Sequence, residues 1–257
     1  MIDPLLTLSF NVHSQKGTYA LLLGSGVSRS AGIPTGWDVT IDLIRKLAHA
    51  GGEEIADGKE AAWFVNKYGD EPNYSTLLDS LAPTSAAQQQ LLRGYFEPTD
   101  QEREEGKKAP TPAHRAIAEL VASGHIKVIV TTNFDRLLEA ALEAVGVAPI
   151  VVASTDAIAG MPPLAHTRCT VIKLHGDYLD HRIKNSPNAL ARYDERLNAL
   201  LEQVWDEYGL IICGWSSEYD TALRASIERC KSRRYPTYWV ARSEVKGAAR
   251  HLVTHRS

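Results

Sequence analysis

The sequence predicts an α/β fold, a Rossmann-like doubly wound parallel sheet with an inserted helical subdomain. Three observations predict it: short apolar runs that end in glycine or polar clusters, amphipathic stretches between most of them, and one long interval that breaks the alternation. The runs at 19–23, 126–130, 150–153, 170–174, 210–213 and 237–241 are rich in Val, Ile and Leu. Without polar alternation they suit strands covered on both faces, as in a parallel sheet. Stretches 39–50, 113–122, 135–145, 193–208 and 219–231 carry the apolar spacing of amphipathic helices. Strand and helix joined by short connections argue for double winding.

Interval 50–108 departs from this rhythm. Its aromatic and aliphatic residues recur at helical spacing, with Trp63, Phe64, Tyr68, Leu77, Leu78, Leu91, Tyr95 and Phe96 expected to face inward. It reads as a helical insertion in a catalytic domain spanning 1–257. Its end, 97–110, is charged and nearly free of large apolar groups, which predicts a mobile loop.

Composition bounds the function classes. The 257 residues are 44% hydrophobic and 23% charged, which excludes collagenous, disulfide-scaffold and wholly disordered chains. A formal net charge of -3 gives no electrostatic reason to expect nucleic acid. From Lys231 onward, Arg233, Arg234, Arg242, Lys246, Arg250 and Arg256 accompany Glu244 as the only acid, a solvated basic face. Cys169, Cys213 and Cys230 are odd in number and form no C-x-x-C pair, so they build neither a disulfide framework nor a cysteine zinc site. No charged n-region with an apolar core opens the chain and no apolar run approaches the ~20 residues of a membrane span, so the expected location is the cytoplasm, away from membranes. The chain stops soon after its last expected strand, and further sequence beyond Ser257 is expected.

Four clusters at strand ends carry the chemistry. Gly24-Ser25-Gly26-Val27-Ser28, followed by Gly32-Ile33-Pro34, offers glycines whose backbone can approach a pyrophosphate, although a plain turn needs them equally. Neither a third dehydrogenase glycine nor a Gly-Lys-Ser/Thr follows, which lowers hydride transfer and P-loop chemistry. Thr131-Thr132-Asn133-Phe134-Asp135 places a carboxamide and a carboxylate beyond the second strand, where helix capping is the competing explanation. Lys173-Leu174-His175-Gly176-Asp177 supplies an imidazole able to accept a proton near neutrality. Neither His114 nor His13 has a comparable setting. Cys213-Gly214-Trp215-Ser216 suits ribose or phosphate contacts, or another tight turn.

Together the four clusters resemble the sirtuin (Sir2) family, whose pattern runs G-A-G-x-S, G-I-P, T-Q-N-x-D, L-H-G and G-T-S over almost the whole chain. The resemblance implies an NAD+-binding domain that cleaves the nicotinamide–ribose bond. Deacylase sirtuins carry a four-cysteine zinc module between the L-H-G and G-T-S strands, and here that interval, 177–209, contains no cysteine. No zinc is therefore expected, and the chain looks like the Sir2-like NAD+ hydrolase domains of bacterial antiphage defence proteins.

That resemblance implies roles. Gly24, Ser25 and Gly26 would meet the pyrophosphate, with Ser28, Pro34, Thr132, Gly214 and Ser216 completing the NAD+ contacts. Asp135 would lie near the nicotinamide carboxamide, Asn133 would hold the nicotinamide ribose and orient water, and His175 would act as base. The implied activity is NAD+ glycohydrolysis to nicotinamide and ADP-ribose, or to cyclic ADP-ribose if an internal nucleophile replaces water. The implied setting is a triggered, homo-oligomeric effector with a C-terminal or separate sensor component. A non-catalytic NAD+ or ADP-ribose sensor and an NAD-dependent deacylase are the alternatives.

Overall fold

The computed structural model describes residues 3–178, 193–217, 220–242 and 244–256. Among them, six strands form one sheet: β1 (Tyr19–Leu23), β2 (Ile126–Thr131), β3 (Ile150–Val152), β4 (Thr170–Lys173), β5 (Gly209–Cys213) and β6 (Thr237–Val240). Their order is β3-β4-β2-β1-β5-β6, and every neighbouring pair is parallel. From β1 the chain builds outward on one side, then crosses back to place β5 on the other. The switch point between β1 and β5 is where an open α/β sheet leaves a crevice beyond its carboxyl ends.

The described helices are α1 (Pro4–Ser14), α2 (Gly36–Ala50), α3 (Glu60–Tyr68), α4 (Tyr74–Leu81), α5 (Ser85–Phe96), α6 (Asp100–Glu104), α7 (Pro112–Ala122), α8 (Leu137–Ala144), α9 (Thr155–Gly160), α10 (Glu195–Glu207), α11 (Thr221–Arg229) and α12 (Gly247–Arg256). Alternate strand residues feed two cores. Ala20, Leu22, Val128, Val130, Ile172, Leu210 and Ile212 pack with Leu201, Val204 and Trp205 of α10, Leu223 of α11 and Leu252 of α12. On the opposite face Tyr19, Leu21, Leu23, Ile129, Val171 and Ile211 meet Val12 of α1, Val121 of α7 and Leu142 of α8. Burial on both faces explains why β1, β2, β4 and β5 read as unbroken apolar runs, whereas the edge strands β3 and β6 are only partly covered, with Val240 of β6 exposed.

The insertion forms a third core. Phe64, Leu77, Leu78, Leu92 and Phe96 pack with Val39, Leu43 and Ile44 of α2, and the cluster reaches Leu137 and Tyr178 near the crevice. Tyr68 departs from the inward expectation: it is 47% exposed, its ring lying against Phe64 at the surface. The loop expected over 97–110 is also corrected. Thr99 and Glu102 form a capping box that starts α6, a local signal strong enough to order a segment without apolar residues. Lys108 then ties it down, donating to the carbonyls of Gly94 and Glu97 and to Glu102. Among the described residues no helix is long and apolar enough to cross a membrane.

Candidate active site

The carboxyl ends of the central strands are stitched into one rim. Leu174 N donates to Thr131 O at 2.9 Å, Thr132 N to Leu23 O at 3.1 Å, Gly24 N to Cys213 O at 3.0 Å and Gly26 N to Gly214 O at 3.0 Å. All four sequence clusters therefore border one crevice. The glycines serve loop packing directly: a Cβ on Gly24 would lie 2.5 Å from Gly214 O, and one on Gly26 would lie 2.9 Å from Gly214 Cα. Gly214 has φ 67° and faces Val27 N in the same contact. The amide hydrogens of Gly24 and Gly26 are thus committed to the end of β5 and to the loop that follows it. Ser25 and Gly26 are half-buried, and Pro34 is half-buried in the turn before α2. Ser216 is exposed on the rim opposite.

Behind the first loop runs a buried chain of polar groups. Asn133 Nδ2 donates to Ser28 Oγ at 3.2 Å, and Ser28 Oγ lies 3.3 Å from His114 Nε2. His114 Nδ1 accepts from Thr111 N at 3.1 Å, which fixes the proton of the neutral ring on Nε2 and makes it a donor to Ser28. Burial holds the His114 imidazole below its ordinary pKa, partly opposed by the Asp135 charge. His114, whose sequence setting is not comparable to that of His175, is thus brought by the fold into the polar chain that ends at Asn133. Its position at the third residue of a capped helix disguised it, because only the fold brings α7 against the β1 loop. The chain ends on an orphan: Asn133 Oδ1 is buried without a hydrogen-bond partner. A buried carbonyl left unpaired is costly, so it marks a place for a donor from water or ligand.

Lys173 anchors the loop that carries Asn133. Its fully buried Nζ donates to Phe134 O at 3.2 Å, Asp135 O at 2.7 Å, Glu139 Oε1 at 3.0 Å and Asp177 Oδ2 at 3.0 Å. A buried ammonium survives only when carboxylates and carbonyls replace its water, as they do here. Asp135 is itself buried, and its Oδ1 accepts from Leu137 N at 3.1 Å. This is an i, i+2 turn contact just ahead of α8, whose N-cap residue is Arg136 and has no side-chain capping bond, and the helix begins two residues later than the periodicity predicts.

His175 follows β4 on a turn that Gly176 closes with φ 91°, a conformation that favours glycine. Its Nε2 lies 3.3 Å from Asp220 Oδ1, and its ring centroid is 6.0 Å from that of Phe134. Phe134 in turn neighbours Tyr74 at 6.2 Å and Phe96 at 6.1 Å, so the insertion supplies an aromatic wall beside the imidazole. Asp220, Lys173 and His114 are the site-bordering residues that sequence reasoning passed over.

The thiols do not converge. Cys169 and Cys213 pack with one face of the sheet and Cys230 with the other. Burial pushes Cys169 up to about 12 and Cys213 up to about 11, leaving both as protonated thiols near neutrality. Three cysteines cannot supply a four-thiolate zinc site, and among the described residues no group of three or more His, Cys, Asp or Glu is arranged to hold a metal ion.

Comparison with known proteins bears on this arrangement. A family described as the SIR2-like domain matches residues 127–255, which takes in the Asn133, His175 and Gly214 clusters. No curated protein sequence matches the chain. Among solved structures, a Sir2 enzyme from work on the mechanism and regulation of that group is 14% identical, with 99% of this chain and 96% of that chain covered at a TM-score of 0.44. A Sir2 homologue mutant in complex with 2'-O-acetyl ADP ribose is 18% identical over 99% and 96%, with a TM-score of 0.45. A Sir2 homologue–NAD complex is 16% identical over 100% and 93%, with a TM-score of 0.41.

Proposed function

We propose that this chain, which belongs to the family of SIR2-like domains, is an NAD+ glycohydrolase that releases nicotinamide and ADP-ribose. The observation that carries the reading is the rim itself: Asn133, with an unpaired buried carbonyl oxygen, stands on the loop bonded to the one that presents His175.

In this reading the dinucleotide lies across the β1–β5 switch point. Ser25 and Gly26 border the pyrophosphate, with Gly24 and Gly214 allowing the two loops to close. Pro34, Thr132 and Ser216 complete the contacts, and Ser28, fully buried, acts behind them by holding Asn133. Asn133 Oδ1 accepts from a ribose hydroxyl or from the attacking water. Asp135 stands near the nicotinamide carboxamide, and the Phe134 wall excludes bulk water. As the glycosidic bond lengthens, its electron pair moves to the ring nitrogen and positive charge develops on the ribose. A preorganised polar site stabilises that charge without reorganising at the moment of reaction. Water adds at the anomeric carbon and gives its proton to His175. Protein deacylation is disfavoured, because the interval that carries the zinc module and borders the peptide cleft in deacylase sirtuins has no cysteine. An enzyme that destroys a common cofactor needs restraint, so its setting is a triggered, homo-oligomeric effector of antiphage defence with a sensor component.

Incubation with NAD+ in each oligomeric state, followed by chromatography, tests the reading. Nicotinamide and ADP-ribose are expected in equal amounts, and Asn133→Ala and His175→Ala should each slow their release by about 10²- to 10⁴-fold. Activity surviving both substitutions would overturn the assignment. Tight NAD+ binding without product in every state would instead make the chain a sensor.

A further inference from the structure

Asp220 stands at the amino end of α11, the usual place for a carboxylate that caps a helix, yet its side chain makes no capping bond. It is buried and turned toward the crevice, where His175 Nε2 lies 3.3 Å and the Tyr193 hydroxyl 3.4 Å from the same oxygen, Oδ1. In the sheet, β4 and β5 are separated by β2 and β1, a span of about 14 Å at ~4.8 Å per strand spacing. The His175–Asp220 contact therefore bridges the two halves of the rim above the switch point. Leaving a cap unmade and burying the carboxylate are both costs, and the imidazole is the partner that offsets them.

We infer that Asp220 is a positioning residue for the hydrolysis proposed above, holding His175 as the Nε2–H tautomer so that Nδ1 is the nitrogen that takes the proton. An ionised carboxylate only accepts hydrogen bonds, so the ring must donate from Nε2. Nδ1 then keeps its lone pair. When water attacks the anomeric carbon, one of its protons passes to Nδ1, the nicotinamide leaves with the bonding electron pair, and Asp220 faces the imidazolium that results. The proton then returns to solvent. The Tyr193 hydroxyl donates to the same oxygen and keeps the carboxylate oriented. Such contacts are commonly long before substrate arrives.

Because this rests on the hydrolase reading, two measurements separate their failures. Long-range ¹H–¹⁵N spectra of the imidazoles in the wild-type chain, at about pH 8, above the ordinary imidazole pKa of about 6.5, should show His175 protonated on Nε2. The Nδ1–H form would overturn the inference whether or not the protein consumes NAD+. In turnover assays Asp220→Asn should lower kcat about 10-fold or more while KM moves less than ~3-fold. In a His175→Ala background the same change should alter the residual rate less than ~2-fold. An equal loss in both backgrounds would mark a merely structural role, and a faster Asp220→Asn would mark a latch. Either result overturns the inference. A wild type that consumes no NAD+ overturns the hydrolase reading instead, and the tautomer still decides the pairing.

Discussion

Lys173 sets the terms for the site at the scale of single residues. Removing its charge strands Glu139, whose side chain is 3% exposed, and frees the carbonyls of Phe134 and Asp135. Breaking a buried ion pair from one side costs about 3–5 kcal/mol. Lys173→Met should therefore lower the free energy of unfolding by that order in urea titration, and Glu139→Gln added to it should restore part of the loss. His114 gives a pH dependence with a definite sign. Its folded pKa lies below the ordinary value of about 6.5, so between the two the unfolded chain binds more protons and stability falls as pH falls. Above about 6.5 the contribution is complete and flat. His125 is shifted the same way by burial and by neighbouring Lys16 and His13. A urea midpoint measured at about pH 7.5 and pH 5.5, on either side of that value, should fall for the wild type and fall less for His114→Asn. Residues of this kind were illegible in the sequence. Lys173 reads as the polar end of a strand and Asp220 falls unremarked within the amphipathic stretch 219–231, because nothing local records which distant group each will face.

Elements were more legible, and for a physical reason. Strands covered on both faces leave unbroken apolar runs, and helices with one buried stripe leave a 3.6-residue period, so each element writes its own environment into its own residues. The glycine loops were legible as positions but ambiguous in purpose. Their first duty is contact between the loops after β1 and β5, where an added Cβ at Gly24 would meet Gly214 O and Trp215 Cα, each at 2.5 Å. Gly24→Ala should destabilise the fold by ~1–3 kcal/mol and disturb NAD+ turnover with it. Gly94 in α5 is the control, since nothing lies within 4 Å of a Cβ built there. Gly94→Ala should raise stability by about 0.5–1 kcal/mol, from helix propensity. Thermal unfolding of both variants checks the pair. Segment 97–110 was misread because its order comes from a capping box and one lysine rather than from apolar burial.

For the whole molecule, the parallel sheet followed from the alternation of elements, whereas the order of its strands did not. Strand order decides that the loops after β1, β2, β4 and β5 share one rim, and that the insertion lays Tyr74 and Phe96 beside Phe134. Sequence clusters hundreds of atoms apart along the chain become one site only through that crossover. The central claim is that this rim directs water onto the anomeric carbon of NAD+. The most direct measurement is turnover in ¹⁸O-labelled water with mass analysis of the products. The account predicts free nicotinamide and ADP-ribose that carries a single solvent oxygen, both lost in His175→Ala. Intact NAD+ in every oligomeric state, or ADP-ribose products without the solvent label, would contradict it.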